Sequence, residues 1–407
     1  MNCIKKADAK EAGSACREAA SLMDSGCVYE PCGRGSLAAD CPCGFYKKTA
    51  SKKKYLDIWT GRIIGAPHLS RELLDSYTEQ KLRDVLEYVH ENSVFYRRLF
   101  DSDEGYRNLC NLKGKSFFEA FGRLPMSCAD DLRKQALDFL CVRPADISRI
   151  VTLDTGGTTG KPKRIYFTAE DQQLTVDYFE NGMQLIADEN DCVMILMPAQ
   201  IPGSIGRLLS KGLRNFGAGV IEYGLPDINP ENPCENSMAE IEQIITIMIR
   251  EKVSSVVALP THLRAVAEAA AGRVRLKSVL LSAEYVSEED TKFISSQLGC
   301  RVYEHYGMTE MGLGCAVSCG RGRGYHIREA DLYLEIIDPN TGCVITDDTP
   351  GEIVFTTLTR KGMPFVRYRT GDISSWIKEP CECGSILKRL ARVNDRKLTK
   401  GYLKQGV

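Results

Sequence analysis

A loop rich in glycine and threonine, residues 153–163, has the composition needed to wrap a polyphosphate. It reads Leu-Asp-Thr-Gly-Gly-Thr-Thr-Gly-Lys-Pro-Lys. Glycine allows close backbone approach and positive φ angles, and successive backbone amides form a nest that binds anions. The threonine hydroxyls and the two lysines add hydrogen-bond donors and positive charge. A plain surface turn of the same composition is the alternative interpretation.

The loop differs from the common strand-to-helix nucleotide loop. The form G-x-x-x-x-G-K-[ST] requires a glycine at Thr155 and a hydroxyl residue at Pro162. Residues 150–153, Ile-Val-Thr-Leu, and residues 164–168, Arg-Ile-Tyr-Phe-Thr, both have the composition of β-strands. We therefore expect the loop to join the two strands of a hairpin.

Three further motifs place polar side chains at defined positions downstream. Residues 305–310, His-Tyr-Gly-Met-Thr-Glu, follow a predicted strand and put a hydroxyl and a carboxylate at its carboxyl end. Open α/β sheets bind their ligands at that end. Residues 368–372, Tyr-Arg-Thr-Gly-Asp, place a carboxylate after a glycine turn, and residues 389–395 carry Arg392 near the end of the sequence.

Each of these side chains also has a purely structural interpretation. Glu310 could be an ordinary acid at a helix start, and Asp372 could cap a turn. Lys163 could be a solvated strand residue and Arg392 a surface charge. We expect His305 to pack or to form hydrogen bonds rather than to catalyse.

Composition and charge indicate an ordinary soluble protein. The chain has 407 residues, 43% of them hydrophobic and 26% charged, and a net charge of −1. That charge gives no general attraction to nucleic acid or to an anionic membrane. No apolar run approaches the roughly 20 residues of a membrane span, and the first residues, Met-Asn-Cys-Ile-Lys-Lys, lack the apolar core of a signal peptide. We therefore expect a cytoplasmic protein without a nucleic-acid or membrane partner.

The order of predicted elements indicates an α/β fold. Leu82, Val85, Leu86 and Val89 have helical spacing in a helix that begins near Ser76. Short apolar strands then alternate with amphipathic helices from residue 150 to residue 303, which predicts a parallel, doubly wound sheet. After residue 330 strands and turns predominate. We predict a Cys-rich segment at 1–60, an α/β region at 61–330, a β-rich subdomain at 331–395 and a remnant at 396–407.

Together these motifs resemble the adenylate-forming enzymes, the acyl-CoA synthetase and luciferase superfamily, and most closely the phenylacetate–CoA ligase branch. The segments Ser76–Phe100, Leu124–Leu132 and Cys381–Gly384 also fit that branch, and the resemblance covers about residues 60–396. It implies a large adenylate-forming N-terminal domain with doubly wound sheets and a small β-rich subdomain. It also implies a small aryl or acyl carboxylic acid as substrate, with ATP, Mg²⁺ and coenzyme A.

The resemblance implies a role for each motif residue. The loop residues that would hold the ATP phosphates, together with Lys163, are Thr155, Gly157, Thr158, Thr159 and Gly160. Thr309 would contact the α-phosphate and Glu310 would hold Mg²⁺. Asp372 would accept both ribose hydroxyls, and Arg392 would bind ribose or phosphate. The residues expected around the adenine are Ala283, Glu284, Tyr306 and Gly307.

The resemblance also implies a structural zinc site. Matching positions are Cys319, His326, Cys381 and Cys383, with Cys315 competing for the place of Cys319. Scattered reduced thiols are the alternative, because the chain has 17 cysteines. Apart from the resemblance, the segment Cys41–Gly44 repeats the Cys-x-Cys-Gly pattern of Cys381–Gly384, and with Cys27 and Cys32 it would form a second four-thiolate site for zinc or an iron–sulfur cluster.

The sequence departs from the family pattern in two places. Gly156 stands where the family commonly has a hydroxyl residue, and the sequence stops at Val407, where the family continues into a small C-terminal domain. The resemblance therefore implies the adenylation step and leaves the thioester-forming step open. Two other functions stay open: nucleotidyl transfer to a phenol-like acceptor, and a non-catalytic nucleotide- and zinc-binding protein that meets a partner through residues 1–60. We expect the acid pocket among residues 198–224 and 258–285, and a homodimer is compatible with the resemblance.

Overall fold

Alternating helices and strands dominate the computed structural model, which describes residues 55–153, 162–228, 235–270 and 272–393. The α-helices of these ranges are α1 (Tyr55–Ile64), α2 (Arg71–Asn92), α3 (Val94–Asp101), α4 (Glu104–Asn108), α5 (Lys115–Phe121), α6 (Ala129–Gln135), α7 (Ala169–Met183), α8 (Ile205–Asn215), α9 (Glu235–Arg250), α10 (Pro260–Ala270) and α11 (Glu288–Leu298). The strands are β1 (Arg149–Leu153), β2 (Lys163–Phe167), β3 (Cys192–Leu196), β4 (Gly219–Glu222), β5 (Ser255–Ala258), β6 (Ser278–Leu281), β7 (Arg301–Tyr306), β8 (Ala316–Val317), β9 (Tyr325–Ile327), β10 (Leu332–Ile337), β11 (Gly351–Thr357), β12 (Tyr368–Ser374), β13 (Trp376–Ile377) and β14 (Arg389–Leu390).

The predicted hairpin is confirmed. Strands β1 and β2 pair in antiparallel register, and the last pair before the loop is Leu153 with Lys163. The loop residues 154–161 lie outside the described residues. Because Lys163 is the first residue of β2, the end of the hairpin fixes the position of this lysine.

The central sheet has nine strands in the order β13-β14-β9-β8-β7-β6-β5-β3-β4. Strands β4, β3, β5, β6 and β7 are parallel, as their alternation with helices predicted. From β7 onward the sheet continues with short antiparallel strands, β8, β9, β14 and β13. This antiparallel extension brings residues 376–390 next to residues 316–327.

Helices cover both faces of the parallel strands, so the doubly wound prediction is confirmed. On one face, α9, α10 and α11 bury an aliphatic core that includes Ile244, Val266 and Ile294. On the other face, α1, α7 and α8 bury Trp59, Phe179 and other apolar side chains. The removal of this apolar surface from water is the main favourable contribution to folding. None of the helices in the described part of the chain has the length and apolar character that a membrane span requires.

The predicted β-rich part forms a three-stranded antiparallel sheet in the order β10-β11-β12. The glycine of the 368–372 motif does not lie in a turn, contrary to expectation. It lies inside β12, where the pairing with β11 shifts between Glu352 and Val354. The extra residues form a bulge in which Gly371 has a φ of 75°, and the backbone N–H of Gly371 donates to the Glu352 carboxylate at 3.0 Å. Bulges redirect a side chain, and here the redirected residue is Asp372.

The helix predicted to begin near Ser76 begins earlier, at Arg71. The Ser70 hydroxyl caps it by accepting from the backbone N–H of Leu73. Its buried face contains the four apolar residues that were predicted from their spacing. The predicted boundary at residue 60 falls inside α1, whose Leu56 and Trp59 are buried in the core.

A buried ion pair stabilises the small sheet. Arg367 precedes β12, its Nε donates to the Glu335 carboxylate of β10 at 3.0 Å, and both side chains are 1% exposed. Burial raises the pKa of Glu335. Without its arginine, this carboxylate would be an uncompensated charge in the protein interior.

We expect Arg367→Met to lower the free energy of unfolding by about 3–5 kcal/mol, the usual cost of removing one partner of a buried pair. Urea unfolding followed by circular dichroism measures the loss. The double variant Arg367→Met/Glu335→Leu should recover much of it, because replacing both partners removes the unpaired charge. The control is Arg143→Met, which breaks an exposed pair with Asp146 and should leave the free energy of unfolding nearly unchanged. Equal losses for the two single variants would contradict the interpretation.

Candidate functional site

The predicted lysine and the predicted glutamate form a salt bridge. Lys163 begins β2, and Glu310 lies in a short 3-10 turn, Thr309–Met311, that follows β7. The Nζ of Lys163 donates to Oε1 of Glu310. The lysine side chain is 15% exposed and the glutamate side chain 1%. The structure therefore joins the hairpin to the carboxyl end of the parallel sheet through one buried pair.

Two further residues fix Glu310. The Tyr368 hydroxyl of β12 donates to Oε1 of Glu310 at 3.2 Å, and the Arg360 guanidinium donates to the Glu310 carbonyl at 2.6 Å. Arg360 is buried and lies over the Phe167 ring at 4.3 Å, and burial lowers the pKa of Arg360 to about 10. Sequence reasoning assigned no role to either residue. Tyr368 could have been found because it belongs to the Asp372 motif, whereas no pattern in the sequence indicates a buried arginine at position 360.

The predicted ribose carboxylate lies against the strand that leads to Glu310. Tyr306, the last residue of β7, donates its hydroxyl to the Asp372 carboxylate at 2.9 Å. Burial, and then the nearby Asp372 charge, raise the pKa of Tyr306 well above its ordinary value. Asp372 is buried, and its backbone N–H donates to the Thr370 hydroxyl at 3.0 Å. Because Tyr368 and Asp372 both belong to β12, one strand contacts Glu310 and Tyr306.

A close approach of two glycines shapes the turn after β7. A Cβ on Gly307 would lie 2.8 Å from the Cα of Gly314. A Cβ on Gly314 would lie 2.3 Å from Cε1 of Tyr178. Neither position can hold a larger residue unless the backbone or the Tyr178 ring moves. The two glycines therefore allow the Thr309–Met311 turn to fold back beside β7.

Two predicted adenine-pocket residues lie at the end of the neighbouring strand β6. Ala283 is exposed and has a φ of 71°, an angle that residues with a Cβ seldom adopt and that is often found at functional sites. Glu284 is also exposed, and its carboxylate accepts from the Thr261 hydroxyl at 2.8 Å. Both residues follow a parallel strand at its carboxyl end, the same edge of the sheet as Tyr306.

Arg392 pairs with Glu304, a carboxylate of β7, rather than with Glu310. Its guanidinium makes two hydrogen bonds to Glu304, one of them from Nε at 3.1 Å. The Tyr325 hydroxyl of β9 donates to the same carboxylate at 2.9 Å. Arg392 therefore lies beside β7 at Glu304, which is two residues before Tyr306 in that strand.

The described site residues thus gather at one edge of the sheet. Lys163, Glu310, Tyr306 and Asp372 are joined through hydrogen bonds and through β12, and Thr309 precedes Glu310 in the same turn. The predicted phosphate-loop residues, Thr155, Gly157, Thr158, Thr159 and Gly160, lie outside the described residues. A cation, a carboxylate able to bind a divalent cation and a second buried carboxylate suit a ligand that carries both phosphate and sugar hydroxyls.

A separate cluster of thiols lies in the antiparallel extension of the sheet. Cys319, His326, Cys381 and Cys383 offer ligand atoms that all lie within 4.8 Å of one another, and all four residues are buried. The Sγ atoms of Cys319 and Cys381 are 3.5 Å apart, and the Cys383 Sγ lies 3.3 Å from the His326 Nε2. Cys315 is not part of this cluster among the described residues. Cys27, Cys32, Cys41 and Cys43 lie outside the described part of the chain.

Comparison with known proteins supports the same family as the motifs. The family described as AMP-binding enzyme matches residues 233–358, a range that includes Tyr306 and Glu310. A phenylacetate–coenzyme A ligase of Thermus thermophilus is 29% identical over 350 residues, 82% of this chain and 73% of the relative. A phenylacetate–coenzyme A ligase of Escherichia coli is 26% identical over 79% of this chain and 71% of the relative.

Solved structures support the fold. The crystal structure of a 2-hydroxyisobutyryl-CoA ligase in complex with its acyl-AMP and CoA matches with a TM-score of 0.69 at 21% identity. The match covers 81% of this chain and 69% of that one. An open conformation of the same ligase matches with a TM-score of 0.67. The chain is therefore a homologue of the phenylacetate–coenzyme A ligases and has the fold of the adenylate-forming enzymes.

Proposed function

We propose that this chain activates a small carboxylic acid with ATP as an acyl-adenylate and then transfers the acyl group to coenzyme A. The observation that carries the proposal is the buried Lys163–Glu310 pair beside the Tyr306–Asp372 hydrogen bond. The phenylacetate–coenzyme A ligases among its relatives support the same reaction.

In the first step a carboxylate oxygen of the acid attacks the α-phosphorus of ATP. The bond from that phosphorus to the bridging oxygen breaks, and pyrophosphate leaves. In the second step the thiol of coenzyme A attacks the acyl carbonyl and AMP leaves. The first barrier lies in bringing two anions together and in stabilising the spreading phosphoryl charge, so positioning and electrostatics dominate the catalysis.

The residues of the site have matching roles in this proposal. Lys163 binds the phosphates as they arrive, and this releases Glu310 from its ion pair. Glu310, a buried carboxylate, fits a Mg²⁺ ligand because Mg²⁺ prefers oxygen atoms; a Mg²⁺ ion bound there would neutralise phosphate charge. Thr309, the residue before Glu310, donates a hydrogen bond from its hydroxyl to the α-phosphate.

The nucleoside half of ATP meets a second group of residues. Asp372 accepts the two ribose hydroxyls in place of the Tyr306 hydroxyl, because an ionised carboxylate has two acceptor oxygens. Ala283, Glu284 and Gly307 border the adenine beside Tyr306. Arg392 binds ribose or phosphate after leaving Glu304.

We expect Glu310→Gln to lower ATP–pyrophosphate exchange by at least about 100-fold, as for the loss of one transition-state contact. The amide keeps the shape of the side chain but provides neither the metal ligand nor the charge that holds Lys163. Exchange is measured with radiolabelled pyrophosphate and a panel of aryl and short alkyl acids.

The control variant for this experiment is Glu289→Gln, which neutralises an exposed carboxylate paired with Arg264. It should exchange like the wild-type protein, and the thermal midpoints of both variants should show that the fold is retained. Wild-type protein that binds ATP but exchanges with none of the acids would refute the adenylation step. A stable nucleotidylated product in place of AMP release would favour transfer to a phenol-like acceptor.

We further propose that Cys319, His326, Cys381 and Cys383 hold a structural Zn²⁺ ion. Three thiolates and one imidazole make a tetrahedral donor set of the kind zinc prefers. The Nδ1 of His326 is buried and has no hydrogen-bond partner among the described residues, so the ring meets the cluster through Nε2, which lies 3.3 Å from the Cys383 Sγ. The ion would join β9 to the loop between β13 and β14.

We expect the double variant Cys381→Ser/Cys383→Ser to contain about one zinc equivalent less than the wild-type protein, because two of four ligands are lost. Elemental analysis by plasma mass spectrometry measures the metal. Cys343→Ser, which changes an exposed cysteine, should leave the zinc content unchanged. Equal zinc in the wild-type protein and the double variant would exclude this site.

A further inference from the structure

A buried arginine, Arg360, holds the turn that carries Glu310 by its main chain. Its Nη1 donates to the carbonyl oxygen of Glu310 at 2.6 Å, and it is the only donor to that oxygen among the described residues. Lys163 and Tyr368 donate instead to Oε1 of the Glu310 carboxylate. The contact of Arg360 can therefore stay in place while the carboxylate oxygens change partners.

Two aromatic rings fix the guanidinium of Arg360. It lies 4.3 Å from the centroid of the Phe167 ring and 5.7 Å from the centroid of the Phe365 ring. Phe167 is the last residue of β2, the strand that begins with Lys163, whereas Arg360 and Phe365 lie between β11 and β12. A cation over the face of an aromatic ring is attracted to it. Arg360 thus joins the hairpin, the turn after β7 and the small sheet.

A second buried group, the Asp171 carboxylate of α7, holds the backbone next to Arg360. It accepts from the backbone N–H groups of Lys361 at 2.8 Å and of Gly362 at 2.9 Å. It also accepts from the backbone N–H of Thr168, the residue that follows β2, at 3.0 Å. One carboxylate therefore ties the end of β2 to the two residues after Arg360, which limits the positions that the arginine can take.

Fold stability alone does not account for a charged side chain at position 360. The Nη2 of Arg360 is buried and has no hydrogen-bond partner among the described residues. Burial lowers the pKa of Arg360 to about 10, and the charge of Asp171 limits that fall, so the guanidinium stays protonated at neutral pH. A buried charge without a full set of partners is unfavourable, and apolar residues of similar volume often replace such groups at little cost. Departures of this kind occur mainly at functional sites.

We propose that Arg360 is a positioning residue that keeps the Thr309–Glu310 turn in place when Lys163 leaves Glu310 for the phosphates. The inference rests on the proposed adenylation, in which the Glu310 carboxylate holds Mg²⁺. A guanidinium at the carboxylate would compete with the metal ion, whereas a guanidinium at the carbonyl leaves both carboxylate oxygens available as ligands. The same contact keeps the Thr309 hydroxyl, proposed to meet the α-phosphate, in a fixed arrangement with that carboxylate.

The test measures ATP–pyrophosphate exchange at fixed ATP over a range of free Mg²⁺ concentrations. Arg360→Met keeps an unbranched apolar side chain between the two rings but removes the donor. We expect the half-saturating Mg²⁺ concentration to rise by at least about 10-fold and kcat to fall by about 10- to 100-fold, because small displacements of a positioned group cost rates of this order. KM for the acid should stay within about 2-fold of the wild-type value, because the variant removes no contact that binds the acid.

The matched control is Arg83→Met in α2. Arg83 also lies over a phenylalanine ring, Phe117 at 4.2 Å, and also donates to a backbone carbonyl, that of Leu109 at 3.1 Å. This variant loses the same two kinds of contact away from the site, so it should keep the wild-type Mg²⁺ dependence. Arg360→Lys should shift the Mg²⁺ dependence less than Arg360→Met does, since an ammonium group can still donate to the carbonyl but lacks the planar fork of a guanidinium.

Thermal midpoints separate positioning from a purely structural role. Replacing Arg360 leaves no carboxylate without a partner, because Asp171 keeps three backbone donors and Glu310 keeps two side-chain donors. Arg360→Met should therefore melt close to Arg83→Met. If Arg360→Met does not fold, Arg360→Lys carries the test alone, and the absence of any shift in its Mg²⁺ dependence would then overturn the inference.

Two further outcomes would overturn the inference and leave adenylation intact. One is an unchanged Mg²⁺ dependence in folded Arg360→Met, and the other is an equal shift in Arg83→Met. The absence of exchange by the wild-type protein with every acid would refute the proposed function itself, and the inference with it.

Discussion

The site depends on the contacts that the Glu310 carboxylate makes. The Glu310 side chain is 1% exposed, and its Oε1 accepts hydrogen bonds from the Lys163 ammonium group and from the Tyr368 hydroxyl. These partners come from the hairpin and from the small sheet, whereas Glu310 itself follows the parallel sheet. A buried carboxylate is costly unless it is paired and hydrogen-bonded. The requirement to satisfy this charge therefore holds three parts of the chain at one point.

Much of the architecture could be predicted because its signals are local. The parallel strands β3 to β7 all lie in the stretch from residue 150 to about residue 303, in which short apolar strands were predicted to alternate with helices. Such agreement follows from apolar runs bounded by polar residues, which need no knowledge of distant contacts. The pairing of Lys163 with Glu310 was not predicted as such, yet both residues were identified because each belongs to a recognisable motif.

Other features depend on contacts between distant residues, so the sequence did not reveal them. Strands β8, β13 and β14 have two residues each, too few for any periodicity. The bulge at Gly371 arises because β12 pairs with β11. When the sequence of residues 368–372 is considered without that partner strand, the glycine predicts a turn. Arg360 occupies a buried position because aromatic rings and the Glu310 carbonyl surround it. The thiol cluster could be predicted only through resemblance, because its members are separated by up to 64 positions in the sequence.

The three-residue strand β9 has a consequence for the whole extension of the sheet. Side chains alternate along a strand, so the neighbours Tyr325 and His326 point to opposite faces. One reaches Glu304, which also holds Arg392, and the other enters the thiol cluster. A single peptide bond thus joins His326, which belongs to the candidate metal centre, to Tyr325, which contacts the carboxylate that pairs with Arg392. A twist of this short segment would displace both side chains together.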